Sequence, residues 1–235
     1  MNTEIPTEFH IAWLDWTLPI HWNYHAWLMV LCWFVLVPFG VMSIRYFKNK
    51  PTPRGLPRGV GKFDRLFIWW IMHIWTLYTA IALSLLGAAV ALVTSGRFSG
   101  SLHAWFGALT IIFGTLQIIV AWQRGSHGGH NHLSSDPADP STWRGDHFDM
   151  TPRRRWFEAY HKPGGYLALF LATGAVATGL MQFWMPLIAV ALPLLFLGIF
   201  ALVVVLEGRG YRHDTYRAVF GTDPDLPGNK MRAGE

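Results

Sequence analysis

The chain contains 235 residues, of which 52% are hydrophobic, 15% are aromatic and only 14% are charged. Because soluble domains carry about 25% charged residues, this composition argues against a water-soluble globular protein. The net charge of +5 is concentrated in particular loops, so it does not indicate a nucleic-acid partner. The single cysteine, Cys32, excludes an intrachain disulfide framework.

The N-terminal segment, residues 1–24, combines Trp13, Trp16 and Trp22 with prolines and acidic residues. Tryptophan collects at the boundary between lipid and water. This segment also lacks an apolar run long enough to cross a bilayer. It is therefore predicted to lie along the membrane surface.

Five apolar runs follow, each long enough to be a membrane helix. They cover about residues 25–46, 66–93, 102–123, 153–181 and 187–206, and residues 207–235 form a polar tail. A helix of about 20 residues spans the hydrocarbon core, where backbone groups must bond to each other. The sequence therefore predicts an all-α integral membrane protein with five transmembrane helices. Residues 25–182 form its four-helix core, and the fifth helix flanks that core.

Lysine and arginine are concentrated in alternate loops, which sets the predicted orientation. The loops after the first and third helices and the tail contain most of them, including Lys48, Arg124 and Arg212. The short turn between the second and third helices contains only Arg97. Cytoplasmic loops are enriched in these residues. We therefore expect a multi-pass protein of a bacterial-type inner (plasma) membrane, with a periplasmic N-terminus and a cytoplasmic C-terminus.

Four histidines stand in or at the start of the apolar runs of the predicted core, one on each helix: His25, His73, His103 and His161. Ionisable groups are costly in hydrocarbon, so the set of four indicates a functional site, whereas His25 taken alone is typical of an interfacial or hydrogen-bonded core histidine. The predicted topology places His25 and His103 near the outer ends of their helices. It places His73 and His161 on the cytoplasmic side, so the four histidines form two pairs at two depths.

Small and polar residues share the helix face of His103. Gly107, Gly114 and Gln117 follow it at spacings of 4, 11 and 14 residues, close to multiples of the helical repeat. Such a face leaves room for a flat macrocycle, and it equally allows close packing of membrane helices. Gln117 is polar and lies near the depth of the inner pair, so it is a candidate cofactor-binding residue.

Two histidines at one depth suit a haem iron. Zinc is disfavoured because the two pairs stand at different depths, so the four histidines would not complete one tetrahedral site. Two axial histidines leave no open coordination position, so such an iron would exchange electrons instead of binding a substrate. A haem-free membrane transporter, whose histidines bind protons or a metal, is the alternative from a different class.

Several motifs resemble the cytochrome b561 family. The run HAWLMVLCWFVLVPFGVMSIRYF is similar to the first core helix of that family. The segments MHI, SLHAWFG, LQIIVAWQR and AYHKPGGY resemble the next three core helices, so the match covers roughly residues 25–182. The resemblance implies two haem b groups with axial histidine ligands. His25 would pair with His103 on one haem, and His73 with His161 on the other.

The resemblance also implies electron transfer across the membrane. The family moves electrons from ascorbate or a similar cytoplasmic donor to an outer acceptor such as monodehydroascorbate or a ferric chelate. Ascorbate-using members have lysines just before the histidine of the second helix, where this chain has Leu66–Trp70. This departure is more similar to the DOMON-associated and bacterial branch. Arg45 and Lys162 are candidates for binding haem propionates or an anionic donor.

Further alternatives stay open at the level of sequence. The chain is either an oxidoreductase in its own right or a quinone-reacting di-haem cytochrome b subunit of a larger oxidoreductase. Expected partners are the lipid bilayer, a small redox donor and acceptor, a periplasmic electron-transfer protein and a second copy in a homodimer. His10 and His21 are rival candidates for the outer ligand. The histidine-rich loop that contains His127, His130, His132 and His147 is interpreted as a solvated linker.

Overall fold

The computed structural model describes residues 6–57, 63–124, 136, 138–139, 142 and 152–233. A two-stranded antiparallel hairpin comes first, and helices follow it. The strands and helices are β1 (Glu8–Ile11), β2 (Trp16–Pro19), α1 (Trp22–Tyr46), α2 (Ile68–Ser95), α3 (Leu102–Trp122), α4 (Pro152–Gln182), α5 (Pro186–Gly208), α6 (Thr215–Phe220) and α7 (Pro227–Ala233).

The five long helices, α1 to α5, are each long and apolar enough to cross a membrane. Large apolar side chains on α5 face outward, and Leu187, Leu194 and Phe200 are 74%, 63% and 66% exposed. Soluble monomers rarely expose contiguous apolar surfaces of this extent, whereas a lipid-facing helix requires one. The prediction of a multi-pass membrane protein with five spanning helices is confirmed.

Successive long helices run in opposite directions, so the bundle has two distinct ends. The C-termini of α1, α3 and α5 meet the N-termini of α2 and α4 at one end, which we call the basic end. Arg45 lies there in the last turn of α1, Lys48 lies just beyond that helix, and Arg124 follows α3. The opposite end, where β1 and β2 precede α1, is called the hairpin end.

Helix α1 contains a widened, π-helical turn over Leu31–Leu36. Pro38 has no N–H group, and its ring crowds the carbonyl of Phe34, four residues earlier. A widened turn accommodates this local mismatch. Cys32, Trp33 and Phe34 point into the bundle from this turn and are at most 4% exposed. The turn therefore supplies much of the apolar core between α1, α2, α4 and α5.

A short connection fixes the start of α3. Gly96 ends α2 in the left-handed region, with φ of 65°, where glycine is favoured. The hydroxyl of Ser101 then accepts a hydrogen bond of 3.2 Å from the backbone N–H of Ala104, which caps α3. His103 consequently lies in the first turn of α3 at the hairpin end.

The N-terminal segment contains a hairpin that the sequence reading did not predict. Strand β1 pairs with β2 from Glu8 opposite Pro19 to Ile11 opposite Trp16, and Asp15 at φ of 47° closes the turn. Trp13, at the tip, is 83% exposed. The Trp22 indole donates a hydrogen bond of 2.9 Å to the Pro6 carbonyl and so ties the hairpin to the start of α1.

The segment after α5 also has its own structure. Helices α6 and α7 enclose a small apolar cluster around Tyr216, which is 0% exposed. This cluster is bound to the loop after α1, because the N–H of Thr222 donates to the Thr52 carbonyl at 3.0 Å. The N–H of Leu56 likewise donates to the Val219 carbonyl at 2.9 Å. The polar tail is therefore joined to the basic end of the bundle.

Gly114 marks a close approach of α3 to α1 and α2. A Cβ atom there would lie 2.6 Å from Ile81 Cδ1 and 2.8 Å from Trp33 Cη2. Gly114→Ala should therefore destabilise the bundle by about 1–3 kcal/mol through overpacking. Thermal unfolding of the purified protein should show a lower melting temperature. The control is Gly198→Ala on α5, where a Cβ would meet nothing within 4 Å. An equal effect of both substitutions would contradict this packing.

Candidate functional site

The structure brings the four histidines of the predicted core together in two pairs. At the hairpin end, the rings of His25 on α1 and His103 on α3 have centres 6.2 Å apart, with their planes at 83°. At the basic end, the rings of His73 on α2 and His161 on α4 also have centres 6.2 Å apart, with their planes at 75°. These are the combinations that the predicted topology pairs.

The hairpin-end pair is held mainly by α4. His103 Nδ1 lies 2.8 Å from the carbonyl oxygen of Ala175. A Cβ at Gly179 would lie only 2.9 Å from the same nitrogen, so a glycine is needed where α4 passes this ring. His25 Nδ1 is buried beside Gly87 of α2, and within the described part of the chain it has no hydrogen-bond partner.

The basic-end pair is held by α1 and α3. His73 Nδ1 lies 2.9 Å from the carbonyl oxygen of Gly40 on α1. A Cβ at Gly40 would approach Leu77 Cδ2 to 3.0 Å, so glycine lets the two helices come this close. The side-chain amide of Gln117 on α3 faces His161, with its nitrogen 2.8 Å from His161 Nδ1 when the amide is oriented to satisfy its neighbours.

A reciprocal pattern links the two pairs. Each ring is supported by a helix that contributes a histidine to the other pair. On α2, α3 and α4, the residue facing the other pair stands 14 positions after the histidine: Gly87, Gln117 and Ala175 follow His73, His103 and His161. On α1 the spacing from His25 to Gly40 is 15. Since four helical turns contain about 14.4 residues, both positions share one helix face.

The hydrogen bonds leave a metal-binding nitrogen free on two of the rings. A backbone carbonyl can only accept, so neutral His73 and His103 must carry their protons on Nδ1. The lone pair of Nε2 is then available on each ring. Histidine ligands of metals commonly donate their other N–H group to a carbonyl in this way.

The spacing within each pair also suits one iron atom. An imidazole nitrogen lies about 2 Å from a metal that it binds, and the ring centre about 1 Å beyond. Two rings on opposite sides of one iron therefore have centres roughly 6 Å apart. Both observed separations are 6.2 Å. In the described residues no group of three or more His, Cys, Asp or Glu could hold a metal ion, so each site consists of two imidazoles.

The helix face beside each pair has room for a flat group. Gly107 stands one turn after His103, and Gly165 stands one turn after His161. A Cβ added at either glycine would have no atom of another helix within 4 Å. The two pairs therefore fit haem through ring spacing and adjacent space, and one ring of each pair, His103 or His73, also has the ligating tautomer.

The two predicted cationic candidates differ in their surroundings. The guanidinium of Arg45 donates to Glu207 Oε1 on α5 at 2.6 and 3.0 Å, and Tyr46 donates to the same oxygen at 2.9 Å. Arg45 therefore joins α1 to α5, an interaction that the sequence did not reveal. Lys162 is exposed and directly follows His161 at the basic end.

Two further cations at the basic end are partly desolvated. The Arg124 guanidinium lies over the Trp70 ring at 4.7 Å from its centre, which is within cation–π range. Burial, followed by the repulsion from Arg154, lowers the pKa of Arg124. Burial also lowers the pKa of Lys48, whose ammonium donates to the His213 carbonyl at 2.8 Å. Together with Lys162, which directly follows His161, they make this end of the bundle positively charged.

The remaining histidines lie apart from the pairs or outside the described residues. His10 Nδ1 lies 3.2 Å from the Thr17 hydroxyl within the hairpin, and the His21 ring contacts Tyr24. The ring that faces His103 at 6.2 Å belongs to His25. The histidine-rich loop falls on residues that the structure does not describe: His127, His130, His132 and His147.

Two curated proteins are similar to part of the chain. A Danio rerio protein, classed by its name as ferric-chelate reductase 1, is 28% identical over 97 residues. That segment covers 41% of this chain and 16% of the relative. A cytochrome b561, DM13 and DOMON domain-containing protein of Arabidopsis thaliana is 29% identical over 112 residues, or 47% of this chain and 11% of the relative.

The similar segments are a small part of both relatives. The chain matches no protein-family profile and no solved structure. The name of the Arabidopsis protein agrees with the resemblance found in the motifs around the four histidines. Together with the five membrane helices, these similarities support a cytochrome b561-type family for the chain.

Proposed function

We propose that the chain is a transmembrane electron-transfer cytochrome with two haem b groups. His25 and His103 would be the axial ligands of one haem, and His73 and His161 those of the other. The observation that supports this most strongly is the repeated geometry of the two pairs, each with ring centres 6.2 Å apart. The names of the two relatives, a ferric-chelate reductase and a protein with a cytochrome b561 domain, agree with a redox function.

The protein residues would define both the coordination and the position of each haem. Haem supplies reversible one-electron chemistry, and two axial imidazoles leave no position at which a substrate could bind the iron. The hydrogen bonds from His73 to Gly40 and from His103 to Ala175 hold these two rings in the ligating tautomer.

The two sites would lie near opposite sides of the bilayer. Four helical turns separate the two levels on every core helix, which corresponds to about 21 Å along the bundle. The hydrocarbon core is about 30 Å thick, so one site stands near each boundary. An electron passing between the pairs would therefore cross most of the membrane.

We further propose that the basic end faces the cytoplasm of a bacterial-type plasma membrane. Lys48, Arg124, Arg154 and Lys162 lie at that end, and cytoplasmic loops are enriched in such residues. Leu66–Trp70, which replace the lysines of ascorbate-using members, favour the DOMON-associated and bacterial branch. The hairpin would then lie on the periplasmic surface, where an electron-transfer partner could dock.

A small anionic donor is proposed at the basic end, because positive charge attracts an anion there. The acceptor proposed at the hairpin end is a small ferric complex, since the Danio rerio relative is named as a ferric-chelate reductase. With this donor and acceptor, the chain would act as a transmembrane oxidoreductase.

An apolar cleft favours a second candidate, oxidation of a membrane quinol. The cleft has a volume of about 330 Å³ and lies between α1, α4 and α5. Phe34, Thr173, Trp184 and Leu192 are among its lining residues. A flat apolar molecule dissolved in the bilayer could reach it directly, as expected for a cytochrome b subunit of a larger oxidoreductase.

The haem assignment predicts two haem b groups per chain in the purified protein. His103→Ala and His73→Ala should each remove one of them, because each substitution breaks a different pair. The measurement is the ratio of extracted haem to protein, together with a reduced-minus-oxidised spectrum. His10→Ala, in the hairpin, is the control and should keep both haems. Two haems in the His73→Ala/His103→Ala double variant would refute the assignment, and an absence of visible absorbance would favour the transporter alternative.

The proposed orientation predicts which surface cysteines can be labelled from outside intact cells. Ser99→Cys, in the turn between α2 and α3, should react with a membrane-impermeant maleimide. Thr222→Cys, in the tail, should react only after the membrane is permeabilised. The unmodified protein is the control, because Cys32 is 0% exposed and should stay unlabelled. If Thr222→Cys were labelled in intact cells and Ser99→Cys were not, the orientation would be the opposite of the one proposed.

The anionic-donor proposal predicts salt-dependent reduction by ascorbate in stopped-flow measurements. The rate should fall as ionic strength rises from about 0.01 M to 1 M, because the screening length shortens from about 30 Å to about 3 Å. Lys162→Gln should also slow the reaction, whereas Arg97→Gln at the hairpin end should not. A rate independent of salt, combined with faster reduction by a quinol, would favour the second candidate instead.

A further inference from the structure

One of the four paired histidines is supported differently from the others. His73 and His103 face backbone carbonyl oxygens, and His25 lies beside the backbone of Gly87. His161 instead faces a side-chain amide, that of Gln117. A carbonyl can only accept a hydrogen bond, whereas an amide can present either its oxygen or its nitrogen. The proton arrangement on His161 therefore depends on how this amide is turned.

The surroundings of Gln117 favour one orientation of its side-chain amide. With its nitrogen toward His161, the amide donates to His161 Nδ1 at 2.8 Å and to the His161 carbonyl at 3.0 Å. Its oxygen then accepts from the Gly165 N–H at 3.2 Å. Since Nδ1 is an acceptor in this arrangement, a neutral His161 carries its proton on Nε2. That tautomer has no lone pair on Nε2 to offer an iron atom.

Coordination through Nε2 requires the opposite arrangement. The ring must lose the proton on Nε2 and gain one on Nδ1, which leaves its net charge unchanged. The Nδ1–H group can then donate to the amide oxygen, provided that the amide turns by about 180°. Amide oxygen and nitrogen have nearly the same size, so this turn needs no movement of the helices. It does place the amide oxygen beside the His161 carbonyl and the amide nitrogen beside the Gly165 N–H, so the new Nδ1–H hydrogen bond must offset two unfavourable contacts.

We propose that Gln117 is a positioning residue that controls the tautomer of His161 and tunes the electron donation of this ring to the basic-end iron. The inference rests on the proposed haem function. Hydrogen bonds from the outer nitrogen of a histidine ligand raise the basicity of the ligand. A stronger acceptor at position 117 should therefore stabilise the ferric state, and loss of the acceptor should stabilise the ferrous state.

The test uses two substitutions with opposite expected effects. Gln117→Glu supplies a carboxylate of the same length, which accepts strongly from Nδ1–H and should lower the midpoint potential of the basic-end haem. Gln117→Leu supplies no acceptor and should raise that potential. Gln117→Leu should also weaken haem binding at this site by about tenfold or more, as is typical when such a partner is lost.

Two matched controls and one background make the measurement specific. Gln123 is an exposed glutamine just after α3, so Gln123→Glu and Gln123→Leu reproduce the chemical changes away from His161. Potentiometric titrations are carried out in the His103→Ala background, which leaves only the basic-end haem. They are repeated in the otherwise unmodified protein, where the hairpin-end potential should stay constant.

Opposite shifts for Gln117→Glu and Gln117→Leu, with both Gln123 variants unshifted, would support the inference. So would loss of the basic-end haem in Gln117→Leu with retention in Gln117→Glu. Potentials that match those of the Gln123 variants, or that shift in the same direction for both Gln117 variants, would overturn it. That result would leave the haem assignment intact, whereas an unmodified protein without haem would refute the proposed function itself.

Discussion

The structure depends on the cost of placing an imidazole in hydrocarbon. A buried polar nitrogen without a partner is unfavourable in hydrocarbon. The bundle offers acceptors to His73 and His103 at two depths, whereas His25 Nδ1 has no partner within the described residues. Gly40 and Ala175 provide such acceptors through their backbone carbonyls. Both contacts require helices to approach closely, and glycines such as Gly179 permit this approach.

This constraint joins the two ends of the bundle. Because each core helix supports one pair and contributes a histidine to the other, a shift of one helix along its axis would disturb both pairs. The spacing of about four helical turns keeps both positions of a helix on the same inward face. A single arrangement of four helices can therefore hold two separate sites about 21 Å apart. Each site then lies near a different face of the bilayer.

Hydropathy and loop charge predicted the features that depend on local composition. The five helices followed from uninterrupted apolar runs, and the pairing of the histidines followed from their depth in alternating helices. Features that depend on distant contacts were not predictable. Glu207 pairs with Arg45 across 162 positions, and backbone hydrogen bonds join the cluster around Tyr216 to the loop after α1. The short β1–β2 hairpin gave too weak an alternation to be recognised. Gln117 stood out as polar, but its partner His161 could be identified only from the packing of α3 against α4.

The central claim is that each histidine pair binds one iron. A cryo-electron microscopy map of the purified protein, showing side chains, tests it most directly. Our account predicts two planar densities, one between His25 and His103 and one between His73 and His161. Each iron should lie about 2 Å from two imidazole nitrogens. A haem bound by any other residue, or either pair in direct contact with no density between its rings, would contradict the account.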